Sequence, residues 1–252
     1  MAGEPKSLKK YRELAEKKGR VEQGVFLVEG EKAISQIASA RPEAITEIIA
    51  AVAPPPSLYK YPLRNVNQSQ FGYISSTQTP QGIAAVVKLP LDVYSAILPA
   101  VTGDRILLLE DIQDPGNAGT LIRTAAALGF TGIILTDTSA DPFSPKAIQA
   151  AAGTVLSVWI RRTGKYLSLV NELKDKDFNI FAAEVRGKDS PAVLANQSKL
   201  VLALGNEAAG LSQELLERAD YRVRIDIPAE KAESLNVAAC GAILMYLSQV
   251  KS

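Results

Sequence analysis

From Arg105 onward, short apolar runs alternate with stretches of helical period. "RILLLE", "GIILT" and "LVLALG" are continuous rather than alternating, and they head a series of predicted strands at 105–110, 131–136, 155–160, 178–183, 199–204 and 221–227. Helices are predicted between and after them, over 117–128, 144–151, 165–175, 212–219 and 234–249. Strands apolar on both faces and separated by helices belong to a parallel sheet covered on both sides. Such sheets bind ligands beyond the C-terminal strand ends. Three of those ends, "EDIQDPGN", "ALGNEAAG" and "IDIPAEKAESLN", are polar turns rich in Gly and Asn.

The chain before this alternation reads differently. "SLKKYRELAEKKG" has Leu8, Tyr11 and Ala15 in a helical stripe, Ser7 as its cap and Gly19 as its stop. "GVFLVEG" predicts a strand, "EKAISQIASA" a helix, "AITEIIAAVA" an apolar segment and "GIAAVVKLP" a strand. These make a small α/β unit over 1–98. Pro90, Pro99 and Gly103 punctuate the seam before a second domain, 99–252.

Composition narrows the chemistry. The 252 residues include one cysteine, Cys240, and no histidine. That excludes a disulfide framework, His-ligated zinc, and Ser-His-Asp or Cys-His nucleophilic catalysis. No metal is expected. No apolar run approaches membrane-spanning length, and the start "MAGEPKSLKK" has no hydrophobic signal core, which points to a cytoplasmic protein with no membrane partner. Residues 1–24 hold seven Lys/Arg against four Glu. Lys9, Lys10, Lys17, Lys18 and Arg20 are therefore candidate phosphate contacts, although a solvated helix face balanced by glutamates has the same composition.

Each polar turn has a plain reading beside a functional one. In "DPGNAGTLIRTAAALG", Asn117 fits a helix cap, and Arg123 sits in an apolar run where it needs an anion or water. An ion pair to Glu110 or Glu207 would satisfy Arg123 without any function. "LGNEAAGLS" leaves a strand through Gly205 and puts Glu207 at its tip, which turn formation alone does not require. Ser234 and Asn236 fit the cap of the last helix, which is apolar almost all round. Neither GxGxxG nor GxxxxGK[ST] occurs, so no standard nucleotide cradle is present.

In order and spacing, "DPGNAGTLIRTAAALG", "LGNEAAGLS" and "IP…ESLNVAACGA" resemble the three motifs of the SpoU branch of the SPOUT RNA 2′-O-ribose methyltransferases. "KKGRVEQGVFLVEGEKAI" and "TQTPQGIAAVV" resemble the substrate-binding domain often found ahead of that catalytic domain. The resemblance implies an α/β fold: a parallel-sheet catalytic domain with a C-terminal trefoil knot, preceded by a small ribosomal-protein-like RNA-binding domain. It implies S-adenosylmethionine as cofactor, held by Leu204, Gly205, Ile227, Pro228 and Leu235. It places Asn117, Arg123, Glu207, Ser234 and Asn236 at the reacting centre, and a homodimer with the last helix at the interface.

The implied reaction moves a methyl group from a sulfonium to a ribose 2′-hydroxyl, an in-line attack by a poor nucleophile. As a residue type, arginine holds its proton far above neutral pH. Arg123 is therefore expected to hold RNA phosphate or ribose and to stabilise the developing alkoxide, with proton removal by arginine as the competing hypothesis. Two departures stand out. "IPAEKAESLN" is shorter than the family's third motif and lacks its glycine, which bears on cofactor contacts at 229–232. Gln149 and Ala151 stand where the family commonly has Arg and Ser. The N-terminal unit favours ribosomal RNA as substrate. A tRNA methyltransferase and an inactive RNA-binding relative are the alternatives.

Overall fold

The computed structural model describes residues 7–228 and 234–250. The chain divides into two compact units, Met1–Leu91 with Asp141–Leu156, and Asp92–Ala140 with Ser157–Ser252. The division follows packing rather than chain order. Phe143 lies edge-on to Phe26 with ring centroids 4.9 Å apart, and Asp141 pairs with Arg20 at 2.7 Å, so the inserted segment belongs to the first unit. Asp92 pairs with Arg161 at 2.5 Å and the Val93 carbonyl accepts the Arg162 N–H, which ties that stretch to the second.

The first unit begins with α1 (Leu8–Arg12), a 3₁₀ turn and α2 (Lys17–Gln23), followed by β1 (Val25–Glu29) and α3 (Glu31–Ala40). Then come β2 (Ile45–Ala50), β3 (Leu63–Asn65), α4 (Gln68–Ile74) and β4 (Ile83–Lys88). The four strands form a mixed sheet in the order β1-β4-β2-β3. Tyr11, Leu14, Phe71 and Ile74 pack against Ile49, Ala84 and Val86 of that sheet. The predicted single helix over 7–19 is broken, and Gly19 does not stop it. Gly19 lies inside α2, where a Cβ would stand 2.1 Å from the Glu13 carbonyl oxygen. The stop is Gly24, at φ +64°.

The second unit contains β5 (Arg105–Leu109), α5 (Pro115–Ala127) and β6 (Gly132–Leu135), and after the inserted α6 (Pro145–Ala151) it resumes with β7 (Trp159–Arg162). It continues through α7 (Tyr166–Lys174), β8 (Asn179–Ala183), β9 (Leu200–Leu204), α8 (Gln213–Leu216), β10 (Tyr221–Val223) and α9 (Val237–Leu247). The strands form one sheet in the order β10-β8-β9-β5-β6-β7, and every pairing is parallel. Ile106, Leu108, Val201 and Ala203 are fully buried at its centre. Several predicted elements shift, and the helix expected at 212–219 is confined to Gln213–Leu216. The strand expected at 155–160 forms at Trp159–Arg162, because 154–156 is a 3₁₀ turn. The last strand ends at Val223, and the last helix starts at Val237 rather than 234.

Candidate active site

The strand order reverses between β5 and β9: the chain runs outward through β6 and β7, then returns to build β8, β9 and β10 on the other side. The loops leaving β5 and β9 therefore meet at a switch point, where a parallel sheet opens a crevice. Buried Glu110 joins them. Its Oε2 accepts the Ser212 backbone N–H at 2.7 Å, and its Oε1 accepts the Ser212 hydroxyl at 2.6 Å and the Tyr166 hydroxyl. Burial and that carboxylate push the Tyr166 phenol up to about 12. Asn206 adds a second tie, donating from Nδ2 to the Asp111 carbonyl at 3.0 Å. Asp111 itself takes a left-handed φ of 56°, which Asp tolerates better than most side chains.

Gly205 has no room for a side chain, since a Cβ there would lie 2.4 Å from the Gly210 carbonyl carbon. Beyond it, Asn206 and Gly210 exchange backbone hydrogen bonds at 3.1 and 2.9 Å, which closes a tight hairpin with Glu207 near its tip. Gly241 lets α9 approach just as closely: a Cβ would sit 2.4 Å from Leu121 and 2.7 Å from Leu204 side-chain carbons. The N-terminal ends of α5 and α9 thus reach the same hairpin.

There the structure joins three of the expected catalytic residues. Asn117 Nδ2 donates to Glu207 Oε1 at 2.7 Å, and Asn236 Nδ2 donates to Asn117 Oδ1 at 3.3 Å. Asn117 is not the cap of α5. Asp114 is, accepting the Asn117 N–H at 2.9 Å, which frees the Asn117 side chain for Glu207. Asn236 caps α9, its Oδ1 accepting the Ala238 and Ala239 N–H groups at 2.9 and 3.3 Å. Ser234 is exposed beside the crevice, and Asn236 rather than Ser234 caps α9.

Arg123 is exposed and makes no hydrogen bond or ion pair among the described residues. The expected neighbours are committed elsewhere, Glu110 to Ser212 and Tyr166, Glu207 to Asn117. Six residues along α5, Arg123 is turned about 240° from Asn117, and it lines neither of the cavities below.

Two adjoining cavities open beside the hairpin, one of about 400 Å³ and one of about 620 Å³. Both include Ala183, Glu184, Val185, Ser234, Leu235 and Cys240. The first is completed by residues of 204–211 and the second by residues of 223–227. Of the expected cofactor residues, Leu204 and Gly205 line the first, Ile227 the second and Leu235 both. Pro228 is exposed and lines neither, and 229–232 fall among the residues outside the description. The fit to an adenosyl cofactor is good: an apolar chamber, backbone at Gly205 approachable by a ligand, and a buried carboxylate oxygen of Glu184 without a partner among the described residues. Sequence reasoning missed "AAEVRG". It leaves β8 as a polar turn at a C-terminal strand end, the same signal that marked the other three. Among the described residues no cluster of three or more His, Cys, Asp or Glu is placed to hold a metal.

In the first unit, Lys9, Lys10, Lys17 and Lys18 are exposed. Lys9 and Lys18 make exposed ion pairs within their own segments, to Glu13 at 4.0 Å and Glu22 at 3.8 Å. Arg20 is a correction. It is 2% exposed, donates to the Leu14 and Ala15 carbonyls at 2.9 and 2.7 Å and pairs with Asp141, so its guanidinium is not available to RNA. Within α6, Ala151 is buried and Gln149 exposed.

A parallel α/β sheet with two cofactor-sized chambers and an Asn-Asn-Glu chain at its switch point defines an RNA methyltransferase class once its relatives are compared. Residues 104–246 match the SpoU rRNA methylase family, and residues 6–85 match an MRM3-like substrate binding domain. The 23S rRNA (guanosine(2553)-2′-O)-methyltransferase RlmP of Bacillus subtilis is 32% identical over 95% of this chain and 94% of its own. A putative RNA methyltransferase of the TrmH family from Porphyromonas gingivalis superposes with a TM-score of 0.81 at 30% identity, covering 99% of this chain and 98% of that one. The AdoMet-bound rRNA methyltransferase of Sinorhizobium meliloti gives 0.82 at 27% identity, covering 98% and 95%. The chain belongs to the SpoU rRNA methylase family.

Proposed function

We propose that the protein transfers the methyl group of S-adenosylmethionine to a ribose 2′-hydroxyl of ribosomal RNA. The observation that carries the reading is the meeting of Asn236, Asn117 and Glu207 at the edge of a chamber suited to an adenosyl group. The bound cofactor supplies an electrophilic methyl on a positively charged sulfur. The chain supplies orientation: Glu207 fixes the Asn117 amide, and Asn236 fixes it from the other side, so neutral donors and acceptors are set before RNA arrives. Arg123, with a guanidinium uncommitted among the described residues, holds RNA phosphate or ribose and steadies the negative charge left on the 2′-oxygen as its proton passes to water and the S–CH3 bond is exchanged for O–CH3. Ser234 lines the same chamber and is available to the incoming ribose.

We assign residues 1–98 to RNA capture, through Lys9, Lys10, Lys17 and Lys18, and 99–252 to catalysis. Two copies pair through α9, whose Ile243 and Tyr246 are 41% and 61% exposed. On the same reading the catalytic domain carries a C-terminal trefoil knot, and the protein works in the cytoplasm. Relatedness to a 23S rRNA enzyme over nearly the whole chain, N-terminal unit included, favours rRNA over tRNA. The test is mapping of 2′-O-methyl marks in rRNA and tRNA from cells with and without the gene. Loss of one rRNA mark is expected; loss of a tRNA mark alone would replace the substrate.

A further inference from the structure

Glu184 takes no part in the Asn-Asn-Glu chain, yet the fold fixes it with care. Its backbone N–H donates to the Val223 carbonyl at 3.0 Å, and its own carbonyl accepts the Gly187 N–H at 3.0 Å. Gly187 is required there, because a Cβ would lie 2.3 Å from the Arg222 carbonyl oxygen. The side chain is thereby held just past the C-terminal end of β8, beside the crevice. Its Oε2 is buried and accepts no hydrogen bond among the described residues. A buried carboxylate oxygen left unpaired is costly, so a fold that places one at a cavity implies a ligand that donates to it.

Glu184 borders both cavities. The larger is walled by Val185, Val223, Ile225, Ile227 and Leu244 and suits a purine. The smaller contains Glu207 and leads to the Asn117 amide. In an adenosyl cofactor the ribose is the piece that joins base to sulfonium chain, so it must pass the residues that border both chambers, and of these Glu184 alone is a carboxylate. Its vicinal hydroxyls are a pair of donors, and an ionised carboxylate is an acceptor only. Dinucleotide-binding sheets solve the same problem with an acidic residue that takes a ribose hydroxyl. Arg186, two residues on, is exposed, and no ion pair to Glu184 forms among the described residues.

We infer that Glu184 is the ribose-binding residue of the cofactor site, its carboxylate accepting hydrogen bonds from the 2′- and 3′-hydroxyls of S-adenosylmethionine. The assignment rests on the reading that the paired cavities hold that cofactor. The competing partner for the same carboxylate is the ammonium of the cofactor's amino-acid end, and the choice of probes separates the two.

Calorimetric titration of full-length wild type, Glu184→Ala and Glu184→Gln tests it, with S-adenosylhomocysteine and with 5′-methylthioadenosine, which keeps the ribose but lacks the amino-acid end. Glu184→Ala is expected to weaken both ligands alike, by roughly ten- to a hundredfold. Glu184→Gln, which keeps an acceptor and nearly the same shape, should lie between. Wild type should also disfavour a 3′-deoxy form of methylthioadenosine, and Glu184→Ala should lose that discrimination. Unchanged affinity in both variants overturns the assignment. So does a loss confined to S-adenosylhomocysteine, which would hand Glu184 to the ammonium. A wild type that binds neither probe overturns the cofactor reading itself, and the Glu184 assignment with it. Wild-type near-ultraviolet circular dichroism in both variants guards against simple misfolding.

Discussion

Asn117 and Glu207 stand ninety residues apart in the chain and meet at 2.7 Å, amide nitrogen to carboxylate oxygen. The contact exists because two loops of a parallel sheet converge at its switch point and because Glu110 holds them together. It commits Glu207 as an acceptor, and it leaves Asn117 a carbonyl to accept from Asn236. The amide is thus oriented from both sides.

Removing either end of that hydrogen bond should cost rate rather than fold. Asn117→Ala and Glu207→Ala are expected to slow single-turnover methyl transfer on the order of a hundredfold, the usual cost of one oriented polar group. Asn236→Ala should lose rate and also about 1 kcal/mol of stability, because it removes the cap of α9. Asp114→Ala, which removes the cap of α5, should show the stability loss in urea with a much smaller loss of rate. Equal effects of all four on urea midpoint and on rate would dissolve the distinction between orientation and capping.

Alkaline titration reports on the Glu110 tie. Of eight tyrosines, Tyr11 and Tyr166 are pushed up to about 12, each mainly by burial and then by a hydrogen bond to a glutamate. A folded value above the ordinary 10.0 means that the neutral phenol is favoured by the fold. This contribution is full below pH 10 and is lost as pH rises towards 12. Ultraviolet titration should show late ionisation of Tyr11 and Tyr166, and Tyr166→Phe should remove one late step. A titration in which Tyr166→Phe removes no late step would contradict the buried pairing.

Cys240 provides a chemical probe of the cavities. It lines both, and burial raises its thiol above the ordinary 9.0. Since the thiolate is the reactive form, iodoacetamide should label it slowly at neutral pH. Saturating S-adenosylhomocysteine should slow labelling further. Mass spectrometry that finds the same rate with and without the ligand would place the cofactor elsewhere.

The lysines of the first unit and Arg20 should part company. Exposed salt pairs such as Lys9 with Glu13 and Lys18 with Glu22 contribute little, about 0.3–0.5 kcal/mol, and yield readily to a phosphate. Replacing Lys10 and Lys18 by Gln should weaken RNA binding and flatten its salt dependence, by a slope of about 0.7–0.9 for each phosphate no longer neutralised. Arg20→Gln should instead destabilise the fold by about 3–5 kcal/mol, since it takes the buried guanidinium away from Asp141 and from two backbone carbonyls. Urea melts beside filter-binding isotherms distinguish the two outcomes.

The parallel sheet was legible because strands such as Leu200–Leu204 are buried on both faces and so show as unbroken apolar runs. Element ends were less so. Asp114 and Asn117 both suit a cap, and only the geometry of the turn decides that Asp114 takes the helix and Asn117 the carboxylate. Arg20 looked like its neighbours Lys17 and Lys18 because charge pattern carries no information on burial. Its partner Asp141 arrives from an inserted segment 121 residues away. Gly19 misled for the same reason, as its role is closeness to the Glu13 carbonyl rather than a turn. Glu184 sat in plain view after an apolar strand, but its meaning depends on an unpaired oxygen that only three dimensions reveal.

The proposed chemistry turns on Arg123 serving the methyl acceptor. This side chain is exposed and pairs with no described residue, which leaves its guanidinium free to meet RNA. The most direct test is single-turnover methyl transfer to rRNA by Arg123→Ala and Arg123→Lys, with S-adenosylhomocysteine affinity measured on the same preparations. Cofactor affinity should stay within about twofold of wild type, while the Ala variant loses on the order of a hundredfold or more in rate. Lys should recover only part of that loss, since its point charge lacks the planar fork. Full methyl transfer by Arg123→Ala would contradict this role.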